Sequence, residues 1–147
     1  MNLENPARHD FTVIIPAFNE APVVPDLIHE LRDTFARHGL QGEVLLVDDG
    51  STDGTAKLAE KEGAGWSRLR VLRHKSNLGK TEALLTAAKA STSTHLILFD
   101  ADLQHSPEEI PRFLDKLEVN FDHIQEANSI HNYSHIILPG VGSFYEG

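Results

Sequence analysis

Apolar positions along this chain come in short unbroken runs, alternating with longer stretches in which they recur every third or fourth residue. The first run, TVIIPAF (12–18), reads as a buried strand, with Pro16 acceptable only at its end because proline has no N–H to give to a ladder. From Pro22 to His38, Val24, Leu27, Ile28, Leu31 and Phe35 fall at helical spacing, and Gly39 is placed to stop the helix. EVLLVDD (43–49) is a second strand-length run; the turn-rich GSTDGT (50–55) follows, then a short helix through Leu58 that ends near Gly63. LRVLRH (69–74), the loop SNLG (76–79) and the alanine-rich KTEALLTAAKAS (80–91) repeat the unit, and HLILFD (95–100) is a fourth strand. Ser106 as N-cap, Pro107 at the first helical position and Glu109 completing a capping box introduce a helix through Phe113, Leu114 and Leu117, in which Pro111 gives up one backbone bond. Parallel neighbours need crossover connections, so this alternation predicts an α/β fold with a mainly parallel sheet covered on both faces. Beyond Ile124 the pattern weakens: QEANSIHNYS (125–134) is polar, and HIILPGVG (135–142) supplies one more strand and a glycine loop.

In open parallel sheets, ligands bind beyond the carboxyl ends of the strands. The conspicuous polar groups all fall at such ends. Asn19 and Glu20 follow the first strand, Asp48 and Asp49 end the second, Asn77 and Lys80 follow the third, and Asp100, Asp102 and Gln104 follow the fourth. Acids gathered on one rim need a compensating cation or hydrogen-bond donors. A divalent Mg²⁺ or Mn²⁺ ion, which takes hard oxygen ligands and often only one or two carboxylates plus substrate phosphates, would serve, with Asp100, Asp102 and the Gln104 amide oxygen as the protein's share. Asp48 and Asp49 could then accept hydrogen bonds from a base or a ribose, which together describes a nucleotide-diphosphate site. Simpler roles stand beside these. Asp48 and Asp49 could only shape a turn, Asp100 and Asp102 could be helix-entry acids favoured by the macrodipole, Lys80 could be a solvated first-turn residue, and His105 could be structural. No GxGxxG follows the first strand, and neither GxxxxGK[ST] nor HExxH occurs.

The 147 residues suit one ordinary domain and one site. A formal charge of −9 without a Lys/Arg cluster argues against a nucleic-acid partner. The absence of cysteine removes disulfides, thiolate nucleophiles and zinc-thiolate sites, and fits a cytoplasmic protein. MNLENPARHD carries charges and no apolar h-region, and no apolar run has the length of a membrane span, so contact with a membrane is expected only at its surface, on the inner face, or through a partner.

VIIPAFNE (13–20), VDDGSTDGT (47–55), NLGKTEAL (77–84) and DADLQHSPEEIPRFL (100–114) together closely resemble the family 2 glycosyltransferases, in the branch that transfers a sugar from a nucleotide-sugar to a polyprenyl or dolichyl phosphate. The resemblance covers about residues 11–124 and implies a three-layer, GT-A-like nucleotide-diphospho-sugar transferase fold, represented by its N-terminal half. It implies that Pro16, Ala17, Asn19 and Glu20 line the nucleotide pocket, that Asp48 and Asp49 contact base and ribose, and that Lys80 lies near. It places Asp100 at the ribose and metal end, and Asp102 and Gln104 on Mg²⁺ or Mn²⁺ beside the diphosphate. The implied partners are a UDP- or GDP-sugar donor and a lipid-phosphate acceptor; an oligomer is left open. The implied reaction is inverting glycosyl transfer without a covalent enzyme intermediate. KLEVNFDHI (116–124) still follows the family, but the glycine- and arginine-containing segment expected next is missing, so the chain is expected to be truncated. YSHIILPGVGSFYEG (133–147) instead resembles part of the glutamine amidotransferase subunit of imidazole-glycerol-phosphate synthase, whose cysteine nucleophile has no counterpart here. Residues 1–124 are thus expected to form the nucleotide-sugar-binding unit and 125–147 an added strand outside the family pattern. The alternatives are a non-catalytic remnant or interaction module and, of another class, a receiver-like domain that gathers aspartates around Mg²⁺.

Overall fold

A computed structural model describes residues 10–102, 106–115 and 135–137, the last as backbone. Its elements are β1 (Phe11–Ala17), α1 (Val24–His38), β2 (Glu43–Asp48), α2 (Thr55–Glu62), β3 (Leu69–Arg73), α3 (Lys80–Ala90), β4 (His95–Leu98) and β5 (His135–Ile137). A further helical segment covers 109–115. All strand pairs are parallel, and the sheet order is β3-β2-β1-β4-β5. The α/β architecture read from periodicity is the one observed, with element ends shifted by a residue or two, as expected where ends are set by local hydrogen bonding. β5 lengthens the sheet beside β4; the remainder of the 125–147 segment, with its glycine loop, lies outside the described residues, as does Leu117.

Strand alternation divides the core between the two faces of the sheet. Val13 and Ile15, Val44 and Leu46, and Ile97 and Phe99 point to one side, where Leu27, Ile28, Leu31 and Phe35 of α1, Ala59 of α2, and Ile110 and Leu114 cover them. Ile14, Leu45, Val47, Leu96 and Leu98 point to the other and pack on Ala83, Ala87 and Ala88 of α3. The small alanine side chains allow α3 to lie close to the sheet. α1 ends where Gly39 turns left-handed, φ 63°, and gives its N–H to the Phe35 carbonyl. Ser106 Oγ accepts the Glu108 N–H at 3.1 Å, the capping bond anticipated at the entrance to the last helical segment. Thr94 N–H donates to Asp10 Oδ1 at 3.0 Å across a separation of 84 residues, tying the amino ends of β1 and β4 together.

Removing the fully buried Leu46 side chain should lower stability by about 2–5 kcal/mol, whereas Leu85→Ala, at a side chain 45% exposed on α3, should stay within about 0.5 kcal/mol. Urea unfolding of the two variants checks the contrast; similar losses would contradict the two-faced core.

Candidate donor cleft at the sheet's switch point

β1 stays paired with β2 as far as Ala17↔Asp48 but with β4 only as far as Ile14↔Leu98. The Ile14 carbonyl accepts from the Phe99 N–H and the Ala17 carbonyl from the Asp49 N–H, so alternate residues of β1 address alternate neighbours. Pro16 is in step with Ile14 and faces the side from which β4 has already departed. Its missing N–H therefore leaves no ladder bond unmade, which is how proline sits in the central strand. Strand order reverses between β1 and β4, the crevice where ligands collect in such sheets.

A cleft of about 240 Å³ opens there. Pro16, Ala17 and Glu20 from the end of β1, Asp49 from the end of β2, Lys80 at the start of α3, and Asp100 and Asp102 after β4 all line it. Phe18, Asn77, Gly79 and Ala101 complete the described wall. Lys80 is the only cation among these lining residues, and its Nζ donates to Asp100 Oδ1 at 3.0 Å. Glu20 titrates above the ordinary carboxylate range, first because burial disfavours its charge and then because Asp102, Asp53 and Asp100 repel it; Lys80 opposes the shift. The cleft thus carries an excess of negative charge.

The acidic pair after β2 does not act as one unit. Successive strand residues point to opposite faces, so Asp48 and Asp49 separate. Asp48 is buried, and its Oδ1 accepts the Ser51 N–H at 2.9 Å, shaping the turn toward α2. Asp49 turns toward α3, where Oδ1 accepts from His74 Nδ1 (2.7 Å) and the Leu78 N–H (2.9 Å), and Oδ2 from the Gly79 N–H (2.8 Å) and Asn77 Nδ2 (3.1 Å). Burial pushes the Asp49 carboxyl up, but bonds from Leu78, His74 and Gly79 outweigh it and hold the group below its usual value. Gly50, φ 81°, allows the same two loops to touch: a Cβ there would lie 2.4 Å from the Ser76 carbonyl carbon.

A second pair of loops is joined beside Glu20. Asn19 adopts a left-handed φ of 54°, which asparagine tolerates better than most residues. Its N–H donates to Ser51 Oγ at 2.7 Å, and its Oδ1 accepts the Thr52 N–H at 2.9 Å. The Glu20 N–H donates to Thr55 Oγ1 at 3.0 Å and the Ala21 N–H to Asp53 Oδ2 at 3.1 Å. Asn19 therefore holds the segment that presents Glu20 and does not itself line the cleft. Of the residues anticipated at the pocket, Pro16, Ala17, Glu20, Asp49, Lys80, Asp100 and Asp102 converge, the exposed Asn19 and the buried Asp48 are not among the lining residues, and Gln104 lies outside the described residues. His74 carries no motif signal in the sequence; Phe18 lies within VIIPAFNE, and its signal is that of the one large apolar residue between Pro16 and Glu20, beyond the end of the ladder.

The donor set suits a hard divalent cation. Asp100 and Asp102 offer carboxylate oxygens from one short turn into a cleft already crowded with negative charge. Among the described residues no three His, Cys, Asp or Glu side chains converge as a complete metal cage. An ion such as Mg²⁺, held by one or two carboxylates while phosphate and water complete its shell, does not require one.

Asp49→Asn leaves four donors around a group that accepts through one oxygen, so a stability loss of about 1–3 kcal/mol is expected near neutral pH. A carboxyl whose folded pKa lies below its unfolded value contributes stability present above roughly pH 4 and lost as pH falls through the folded pKa. Urea titrations of both proteins should therefore show the gap narrowing in acid; a gap independent of pH would contradict this role of the ionised carboxylate.

Among the described residues no helix is long and apolar enough to cross a membrane. The family model described as Glycosyl transferase family 2 matches residues 12–132. Among curated relatives, an undecaprenyl-phosphate 4-deoxy-4-formamido-L-arabinose transferase of Klebsiella pneumoniae (strain 342) is 36% identical over 121 residues, which is 82% of this chain and 37% of the relative. The chain thus spans little more than a third of the curated relatives it matches. Two solved structures share its fold: the mannosyltransferase PcManGT of Pyrobaculum calidifontis, in complex with GDP-Man and Mn²⁺ (TM-score 0.61, 30% identity, 74% of this chain and 32% of that one), and glucosyl-3-phosphoglycerate synthase of Mycobacterium tuberculosis, with Mn²⁺, UDP and glucosyl-3-phosphoglycerate (TM-score 0.61, 25% identity, 77% and 41%). The switch-point crevice and the order of its loops therefore have a known family setting: the fold is GT-A-like, and the chain belongs to glycosyl transferase family 2.

Proposed function

We propose that this chain is the donor-binding part of a glycosyltransferase that takes a UDP- or GDP-sugar and passes the sugar, with inversion, to a polyprenyl or dolichyl phosphate. The observation that carries the reading is the convergence of Glu20, Asp100 and Asp102 with Lys80 on one cleft at the switch point of a family 2 fold. The curated relative supports the lipid-phosphate acceptor, and the two solved relatives support a nucleotide donor with Mn²⁺.

Asp100 and Asp102, with Gln104 as a further oxygen, would hold Mg²⁺ or Mn²⁺ in this reading. Bound there, the ion would neutralise the diphosphate and so stabilise it as the leaving group. Lys80, which reaches Asp100 across the cleft mouth, is positioned to exchange that carboxylate for a phosphate oxygen. Pro16, Ala17 and Glu20 form the floor beneath the nucleotide. In this reading Asp48 and Asp49 belong to the base-and-ribose end, Asp48 through the turn that it shapes; because all four acceptor positions of Asp49 are filled by protein donors, its part would be to fix the wall rather than to add a ligand bond. A phosphate acceptor is ionised at neutral pH, so its attack on the anomeric carbon needs little help from a general base. We take residues 1–124 as the nucleotide-sugar-binding unit and 125–147 as an added segment contributing β5; the family match itself runs to residue 132.

A cleft of about 240 Å³ is below the ~300–1,000 Å³ typical of small-molecule pockets, so it would enclose only part of a nucleotide-sugar. That size is the observation behind a second reading, in which the residues around the cleft bind donor without turnover, as a remnant or interaction module.

Calorimetry with UDP- and GDP-sugars should reveal binding that depends on Mn²⁺ or Mg²⁺ and weakens about tenfold or more in Asp102→Ala; no binding of any donor in the presence of Mn²⁺ would sink the proposal. A product assay with a polyprenyl phosphate separates the two readings: glycolipid formation supports transfer by this chain, and donor binding without product supports the remnant.

A further inference from the structure

The imidazole of His74 is buried just past the end of β3, outside the cleft, and makes two short hydrogen bonds. Nδ1 lies 2.7 Å from Asp49 Oδ1 and Nε2 lies 2.7 Å from Thr86 Oγ1 on α3. The side chains of His74 and Asp49 are 8% and 6% exposed. The His74 backbone N–H also donates to the Asp48 carbonyl at 2.8 Å, so ring and backbone both fix β3 to the end of β2. On its other bonds Asp49 holds the N–H groups of Leu78 and Gly79 and the side chain of Asn77, the segment that forms one wall of the cleft and leads directly into Lys80.

We propose that His74 is a positioning residue for donor binding: it orients Asp49 so that this carboxylate can hold the 77–79 wall and aim Lys80 into the cleft. An ionised carboxylate only accepts, so Nδ1 must carry the proton; the other neutral tautomer would set a lone pair against Asp49. Nε2 then accepts from the Thr86 hydroxyl when the ring is neutral and donates to it when the ring is charged. The hydroxyl suits both states, so the ring keeps its orientation in each. Because carboxylate and ring are nearly excluded from water, a lost bond here is not replaced by solvent. The side chain acts through Asp49 and touches no ligand.

This rests on the donor-cleft reading, but one of its two readouts does not. The Asn amide nitrogen reaches the place of Nδ1, whereas the Gln amide reaches that of Nε2. His74→Asn therefore keeps the bond to Asp49, and His74→Gln keeps only the contact with Thr86. Expected for His74→Gln are a rise in donor Kd of about 10- to 100-fold and, with no nucleotide present, faster hydrogen exchange at Leu78 and Gly79 while Ile14 and Leu46 stay protected. His74→Asn should remain near wild type in both. Equal behaviour of the two variants, or loss of protection at Ile14 and Leu46 as large as at Leu78 and Gly79, would overturn the assignment by showing a merely structural histidine. If His74→Gln does not fold, Thr86→Val, which leaves the bond to Asp49 in place, should match His74→Asn in keeping exchange at Leu78 and Gly79 near wild type, and faster exchange there would overturn the assignment by showing that the contact with Thr86, and not that with Asp49, holds the segment. Should the wild type bind no donor, the donor reading fails, and the exchange pattern alone decides the positioning of the 77–79 wall.

Discussion

The crevice between β1 and β4 exists because parallel strands cannot turn back on themselves. Each crossover must pass over a face of the sheet, and β1 is the strand from which the sheet grows both ways, to β2 and β3 on one side and to β4 and β5 on the other. Its ladder with β4 stops at Ile14↔Leu98 while that with β2 runs on to Asp48. Only the loops that leave the strand ends can line the gap, so residues from four distant parts of the chain meet there. Pro16 fits where it does for the same reason: the place lacking an N–H is the place lacking a neighbour.

The acids gathered at this rim divide by how they are neutralised. Asp48, Asp49 and Asp53 are absorbed by the protein's own donors, and each closes a loop: Ser51 on Asp48, the 77–79 segment on Asp49, Thr55 and Ala21 on Asp53. Thr55 is the leading cause of the lowered pKa of Asp53, just as donors lower that of Asp49. Glu20 goes the other way, with burial and like charges raising it. The first set builds the walls, and the second, with Asp100 and Asp102, leaves the charge inside them. In the proposed function a cation and a diphosphate would complement this second set, since each would make the other tolerable in the same small volume.

Periodicity made the scaffold legible because burial imposes it directly: the continuous runs VIIPA and EVLLV are buried on both faces, and α1 shows its stripe from Val24 to Phe35. The rim was legible too, since strand ends can be counted. The division of labour within the rim was not. Asp48 and Asp49 are neighbours in sequence yet serve opposite faces, and only their partners, 3 to 30 residues onward, reveal which builds which loop. Asn19 bonds Ser51 and Thr52, a pairing between loops that no local pattern encodes. His74 follows a strand like any polar residue, and its partners are an aspartate 25 residues back and a threonine on α3.

The bond that ties Thr94 to Asp10 spans 84 residues and marks the lower end of the β1–β4 ladder. Nothing local can bring those strands together, so closing that loop must come after the formation of nearer contacts, and non-local parallel pairing of this kind is intrinsically slow. Until β4 arrives, one edge of the apolar central strand stands open to any other extended chain. The strand arrangement that creates the crevice thus also makes the most distant pairing the one that closes the sheet's middle, and an unpaired strand edge is the surface through which incompletely folded chains associate.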